Sequence, residues 1–147
     1  MKALHKLLVF TPALVVAGCN PVKSTAEAEK AATEFHTLFD AEDYEKIYDS
    51  AHSDFKGSQP KAETLNFIRS VREKLGAVKS TTRTAWQANS YNLKTNVVLT
   101  YSTEFQHGNG IETFTYRVSD GTATLLGWHI NSKDLIVTQT KAEQVAP

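Results

Sequence analysis

The first half of the chain carries apolar residues at helical spacing. Between residues 25 and 40 they recur three or four positions apart and would form one stripe along a helix, at Ala28, Ala31, Ala32, Phe35, Leu38 and Phe39. Ser24-Thr25-Ala26-Glu27 has the Ser-x-x-Glu pattern of a capping box, which predicts that this helix begins at about Thr25. A stripe of this kind is typical of a helix that packs on a hydrophobic core.

Two further helices are predicted before residue 77. A short one covers about 42–51, with Asp43 interpreted as its N-cap. After a polar break at 52–59, Pro60 favours the start of a longer helix, and Gly76 is suited to end it.

From about residue 78 the period of the pattern changes to two. Three segments alternate, with apolar faces at Val97, Leu99, Tyr101 and Phe105, at Phe114, Tyr116 and Val118, and at Leu126, Trp128 and Ile130. Asn109-Gly110 and Asp120-Gly121 predict the tight turns that join them as hairpins. A weaker strand over 80–89, which carries Trp86, would precede them. The predicted fold class is therefore α+β, with about three N-terminal helices packed on one face of a four-stranded antiparallel sheet.

The opposite face of this sheet is predicted to be largely polar. Its residues are Thr100, Ser102, Glu104, Thr113, Thr115, Arg117 and His129. Such a face suits contact with water, and it also permits a weak, polar homodimer. We therefore expect a monomer or a weak homodimer.

The N-terminus has the features of a removable export signal. Lys2 and Lys6 precede an apolar run over 7–16 that is too short to span a bilayer, since spanning takes roughly 20 residues. Val16-Ala17-Gly18-Cys19 then resembles the lipobox of bacterial lipoprotein precursors. The alternative is an ordinary secretory signal in which the only cysteine is incidental.

The lipobox resemblance implies that Cys19 is lipidated and that the chain is cleaved before it. It divides the chain into a signal peptide (1–18), a lipidated cysteine with a short tether (19–24), one domain (25–138) and a flexible tail (139–147). Asn20, rather than Asp, after the cysteine favours the periplasmic side of an outer membrane. Several acyl chains would hold the protein stably on that membrane.

Charge gives little support to a nucleic-acid partner. Without residues 1–18 the chain has 129 residues, and its 14 basic and 16 acidic side chains give a formal charge of −2. No Lys/Arg cluster follows the leader, whereas nucleic-acid binders usually carry a basic patch. We expect no nucleic-acid partner.

The element order resembles the cone-shaped α+β roll of the ketosteroid isomerase and nuclear transport factor two superfamily. The resemblance covers residues 25–136 and includes the segments 35–40, 43–48 and 72–76. The chain also looks similar to small bacterial lipoproteins that carry an uncharacterised domain of this type. The resemblance implies a fold but no activity, because this roll supports unrelated functions.

Candidate site residues are those predicted to face the interior of the cone. Possible ligand-binding aromatics are Tyr48, Trp86, Tyr101, Tyr116 and Trp128. Candidate acid–base residues are Asp40, Tyr48 and His52, because a buried carboxylate or imidazole beside aromatics can have a perturbed pKa. The other inward strand positions are predicted to be nearly all apolar. These residues equally suit a filled core with satisfied hydroxyls.

No cofactor or metal site is predicted. The histidines lack the spacing of a metal site, and no nucleophile motif is present. The favoured hypothesis is a non-enzymatic binding module on the cell envelope that contacts an envelope protein or a small apolar ligand. The alternatives are an enzyme of the isomerase or hydrolase type that uses acid–base residues in the cone, and a purely structural envelope component.

Overall fold

The structure is a computed structural model that describes residues 21–92 and 94–136. Within them lie four helices, α1 (Pro21–Asp40), α2 (Tyr44–Ser50), α3 (Ser53–Gly57) and α4 (Lys61–Leu75). Four strands follow, β1 (Val78–Tyr91), β2 (Lys94–Phe105), β3 (Gly108–Ser119) and β4 (Thr122–Asn131), and then a 3₁₀ turn at Lys133–Leu135. This confirms the α+β class. The signal, Cys19 and the tail at 139–147 lie outside the described residues.

The predicted start of α1 is wrong. The helix already includes Pro21, so residues 21–24 of the expected tether are helical. Ser24 and Thr25 are buried within it, and the Thr25 hydroxyl donates to the carbonyl of Pro21 at 2.8 Å. A proline is well tolerated in the first turn, and a threonine inside a helix can satisfy its hydroxyl four residues back. These two effects replace the predicted capping box.

The connection between α2 and α4 is more regular than predicted. The backbone N–H of Lys46 donates to the carboxylate of Asp43 at 3.2 Å, which confirms Asp43 as the cap of α2. The expected polar break instead contains α3, because Nδ1 of His52 accepts from the backbone N–H of Asp54 at 3.1 Å and caps this extra turn. The predicted end of α4 at Gly76 is confirmed, with φ at +79°.

The strands form one antiparallel sheet in the order β1-β2-β3-β4. The predicted turn at Asp120-Gly121 is confirmed, and both residues have positive φ. The turn predicted at Asn109-Gly110 is wrong, because both residues lie inside β3. The chain reverses at residues 106–107, whose backbone N–H groups donate to carbonyls at the end of α4 and just after it. This tertiary contact decides the position of the turn.

A bulge in β4 changes the face of one predicted core residue. Tyr116 pairs with Leu125, while Thr115 pairs with Gly127, so Leu126 has no partner in β3. Leu125 is therefore buried in the core in place of Leu126, while Trp128 and Ile130 keep the predicted phase. The rest of the core lies between α1, α4 and one face of the sheet. Its largest fully buried apolar side chains are Phe39, Phe114, Ile68, Leu75 and Leu99.

Candidate functional site

The three candidate acid–base residues each make a local structural contact. A carboxylate oxygen of Asp40 accepts from the backbone N–H of Val78 at 2.9 Å and ties α1 to β1. The Tyr48 hydroxyl donates to the carbonyl of Lys56 at 3.1 Å. His52 caps α3. Fold-holding contacts therefore occupy all three groups.

Four of the five candidate aromatic residues lie in or against the core. Tyr48, Tyr101 and Tyr116 are buried, and Trp128 is partly buried against the same cluster. The expectation that Trp86 is enclosed with them is wrong. Trp86 pairs with Leu99 and therefore lies on the helix-facing side of the sheet, yet it is 51% exposed. It lies on the edge strand β1, where the helices leave the sheet partly uncovered.

The prediction of an almost entirely apolar inward face is wrong at Glu112. This residue is in phase with Phe114 on β3, and its carboxylate is only 1% exposed. The Nε2 atom of His36 lies 2.8 Å from one carboxylate oxygen, which also accepts from the Thr103 hydroxyl. The indole N–H of Trp128 donates to the other oxygen at 2.9 Å. The signal that could have found it is the alternation of Phe114, Tyr116 and Val118, which places Glu112 inward when it is extended by two residues toward the start of β3.

This network joins four elements around one buried carboxylate. His36 comes from α1, Thr103 from β2, Glu112 from β3 and Trp128 from β4. Three donors satisfy the carboxylate, and such satisfaction is the condition under which a charge can be buried in a core. The arrangement therefore fixes α1 across the sheet.

The Tyr116 hydroxyl lies in the same core without a hydrogen-bond partner among the described residues. Burial raises the pKa of Tyr116 well above 10, and the nearby Tyr101 and Glu112 add to the rise. Burial likewise raises the pKa of Tyr101, with Glu29 as the next cause. Both phenols stay protonated at neutral pH and are poor general bases.

A groove of about 340 Å³ opens beside this network, between α3, α4 and β4. Phe55, Phe67 and Trp128 form its aromatic wall, and the rings of Phe67 and Trp128 have centroids 5.7 Å apart. The β4 bulge contributes Leu126 to the same wall, and Gln59 adds a polar side chain at its rim. Phe67 is 45% exposed. The groove can thus accept an apolar group against accessible aromatic rings.

A second cavity, between the middle of α1, α2 and strands β3 and β4, is much smaller. The cavity beside Phe35, Tyr116 and Leu125 measures about 80 Å³. Typical ligand pockets measure about 300–1,000 Å³, so this cavity does not hold an organic ligand. The helix-facing interior at this point is filled with side chains.

Two further searches bear on the site. Among residues 21–92 and 94–136, no group of three or more His, Cys, Asp or Glu side chains is placed to hold a metal ion. In the same part of the chain, no helix is both long enough and apolar enough to cross a membrane.

Comparison with known proteins gives one family. No curated protein matches the chain significantly. A family model described as "Protein of unknown function (DUF4019)" matches residues 31–128, which are 98 of the 147 residues. The matched segment runs from the middle of α1 to Trp128, and so contains all four members of the buried Glu112 network. The chain therefore belongs to the DUF4019 family, whose function is unknown.

Proposed function

We propose that the protein is a lipid-anchored component of the bacterial cell envelope that binds a small apolar ligand in the groove between α3, α4 and β4. The observation that carries the binding role is the groove. Its volume of about 340 Å³ falls within the range of ligand pockets, and its wall combines aromatic rings with a few polar groups. Phe67, which is 45% exposed, offers apolar ring surface beside Trp128 in this groove, and exposed apolar surface of this kind often marks a ligand-binding groove.

The anchor is supported by the sequence around Cys19. Val16-Ala17-Gly18-Cys19 follows a basic and then apolar leader, as in lipoprotein precursors. Asn20 favours the outer membrane on its periplasmic side. The order of elements, helices first and then a four-stranded meander, supports membership of the roll superfamily shared by ketosteroid isomerase and nuclear transport factor two. Superposition of an experimental structure on members of that superfamily tests this assignment.

An enzymatic role is the rival proposal, and Glu112 is the observation in its favour. A carboxylate paired with a histidine can perform acid–base chemistry. However, three donors already surround this carboxylate, and neither Glu112 nor His36 lines the groove. A binding role needs no rearrangement of that network, so we favour binding.

The binding role can be tested with a fluorescent apolar probe, anilinonaphthalene sulfonate, titrated into a chain of residues 20–147. Phe67→Ala removes a groove wall, and Ile111→Ala is the matched control, because both side chains are 45% exposed. Full burial of one large apolar side chain contributes about 1.5–3 kcal/mol, and a ligand can cover only the exposed 45% of Phe67, so Phe67→Ala should weaken binding roughly threefold to tenfold.

The control should bind the probe as the wild type does, with one saturable site. Absence of saturable binding, or equal weakening by the two variants, would refute the groove as a ligand site. Anchoring is tested separately, because Cys19→Ser should abolish both acyl labelling and the cleavage that releases the mature form. Labelling that persists in this variant would refute the anchor.

A further inference from the structure

Two large apolar side chains are exposed where α1 meets the helix-facing side of β1. Val22, in the first turn of α1, is 71% exposed, and Trp86, on β1, is 51% exposed. Both line one groove. A patch of this kind on a protein surface indicates a contact.

Contacts along the two elements place these residues near one another. Helix α1 runs antiparallel to β1, because Asp40 at its end binds the backbone of Val78, while Glu29 forms an ion pair with Arg83 further along the strand. A groove of about 230 Å³ continues beside the first turns of α1, where Trp86 and Arg83 form its other wall. Tyr91 lies five residues beyond Trp86, and this odd offset places it on the opposite face of the sheet, outside this patch.

The covalent chain places the predicted lipid close to this patch. Cys19 is two residues before Pro21, and a chain reaches at most about 3.5 Å per residue, so the anchored sulfur lies within roughly 10 Å of the first turn of α1. A domain held by so short a link cannot move far from the lipid. The surface around the start of α1 therefore stays close to the bilayer that holds the anchor.

The chemistry of the patch suits a phospholipid surface. Tryptophan and tyrosine are enriched at the headgroup level of membranes, where the ring is in an apolar layer and its polar atom reaches water. The two charged side chains of the groove, Glu29 and Arg83, form an ion pair with each other, so no unpaired acidic group in it would repel an anionic lipid. A patch of only apolar residues would instead favour burial against a protein.

We propose that this side of the molecule, defined by Val22 and Trp86, rests on the phospholipid surface and fixes the orientation of the domain on the membrane. The inference depends on the lipid anchor proposed above. It goes further, because an anchored domain could otherwise tumble above the bilayer. The docked surface would hold Trp86 at headgroup level.

The test uses the full lipidated protein, extracted from membranes and reconstituted into vesicles of phosphatidylethanolamine and phosphatidylglycerol that contain a headgroup-nitroxide lipid. Subtraction of the emission of Trp86→Phe isolates the fluorescence of Trp86 from that of Trp128. The matched control is the double variant Trp86→Phe, Ile111→Trp. Ile111 is 45% exposed against 51% for Trp86, but it lies on the opposite face of the sheet, because it pairs with Ser102, three residues along β2 from the Leu99 that pairs with Trp86.

We expect the nitroxide lipid to reduce the Trp86 emission at least about twofold and to leave the emission of the control tryptophan nearly unchanged. Equal quenching of the two positions, or none, in protein that floats with the vesicles would overturn the docked orientation while leaving the anchor intact. Protein that does not float with the vesicles would overturn the anchor and the docking together. Flotation and quenching thus separate the two proposals.

Discussion

Glu112 offers the most direct test of the structure, because one carboxylate joins four elements. Glu112→Ala removes the acceptor of three donors, on His36, Thr103 and Trp128. Each buried donor that loses its partner costs about 1–3 kcal/mol. Because side chains and water relax into part of the space, we expect a loss of about 3–5 kcal/mol in the free energy of unfolding, as when one partner of a buried ion pair is removed.

Glu112→Gln should cost far less than Glu112→Ala. The amide keeps the volume, and its oxygen can still accept from the indole of Trp128. Its NH₂ group can donate to the Thr103 hydroxyl, which rotates to accept, and to His36 Nε2 in the tautomer that accepts. We expect the free energy of unfolding to fall by about 1 kcal/mol, which is close to the net contribution of a single hydrogen bond to stability. Comparison of the two substitutions separates the stability lost with the hydrogen-bond acceptors from the stability lost with the negative charge.

Urea unfolding of residues 20–147, followed by circular dichroism and tryptophan emission, measures both losses. Glu104→Ala is the control, because Glu104 is an exposed carboxylate on the neighbouring strand that contacts Lys79, and the variant should retain near-wild-type stability. A loss for Glu112→Ala no larger than for this control would show that Glu112 is not the buried acceptor of three donors. A large loss for Glu112→Gln would show that the charge itself is required.

Two further substitutions test single features of the core and of a turn. Tyr116→Phe should leave stability at neutral pH unchanged or raise it by up to about 1 kcal/mol, because the hydroxyl is buried without a partner among the described residues. Tyr48→Phe is the comparison. It should lose about 0.5–1.5 kcal/mol of stability, because it removes a hydrogen bond to a backbone carbonyl. Because burial raises the pKa of Tyr116 above 10, this tyrosine ionises at a lower pH in the unfolded chain than in the folded protein. The free energy of unfolding should therefore fall as pH rises beyond 10, by up to about 1.4 kcal/mol per pH unit. Unfolding at alkaline pH should show a smaller fall in Tyr116→Phe, and an equal fall would contradict this assignment. Gly76→Ala should lower the free energy of unfolding in urea by about 1–3 kcal/mol, because the φ of Gly76 is +79° and a Cβ there would lie 2.7 Å from Gln106. Gly57→Ala is the control and should be neutral or slightly stabilising, because the space around Gly57 is open. Equal effects of the two substitutions would refute the strained geometry at residue 76.

The sequence predicted the face of most core residues because alternation depends only on local geometry. Along β2 and β3 every predicted inward residue is buried, from Val97 to Val118. The prediction failed at Leu126, where one extra residue in β4 reverses the faces of its neighbours. No local pattern marks that bulge, so periodicity alone could not place Leu126 in the groove.

The two wrong boundaries have a different physical cause. Asn109-Gly110 is a strong turn signal, yet the end of α4 holds the reversal at residues 106–107 through backbone hydrogen bonds. Ser24 was predicted to lie at the start of a helix, yet α1 extends four residues further toward the N-terminus than predicted. At the hairpin, contacts between distant parts of the chain override a local preference of about 1 kcal/mol, whereas at α1 two local effects, the proline in the first turn and the bond from the Thr25 hydroxyl to Pro21, extend the helix.

The candidate site depended most on information that the sequence lacks. Trp86, Leu99, Phe114 and Trp128 form one row across the four strands, on the same face of the sheet. Alternation predicted that face for all four, but it cannot say where the helices will lie. The middle of the row is fully buried, while Trp86 at one edge is 51% exposed and Trp128 at the other borders an open groove.

These two uncovered edges account for both functional proposals. Three strand spacings of about 4.8 Å separate the tryptophans by roughly 14 Å, so one face of a small sheet can serve two contacts. The edge at β1 lies beside the start of α1 and hence beside the lipid anchor that we propose, whereas the edge at β4 lies beside α3 and α4. If Trp86 rests on the membrane, the groove at Trp128 remains open to a ligand. Loss of probe binding on reconstitution into vesicles would therefore contradict the combination of the two proposals, even where each test succeeds alone.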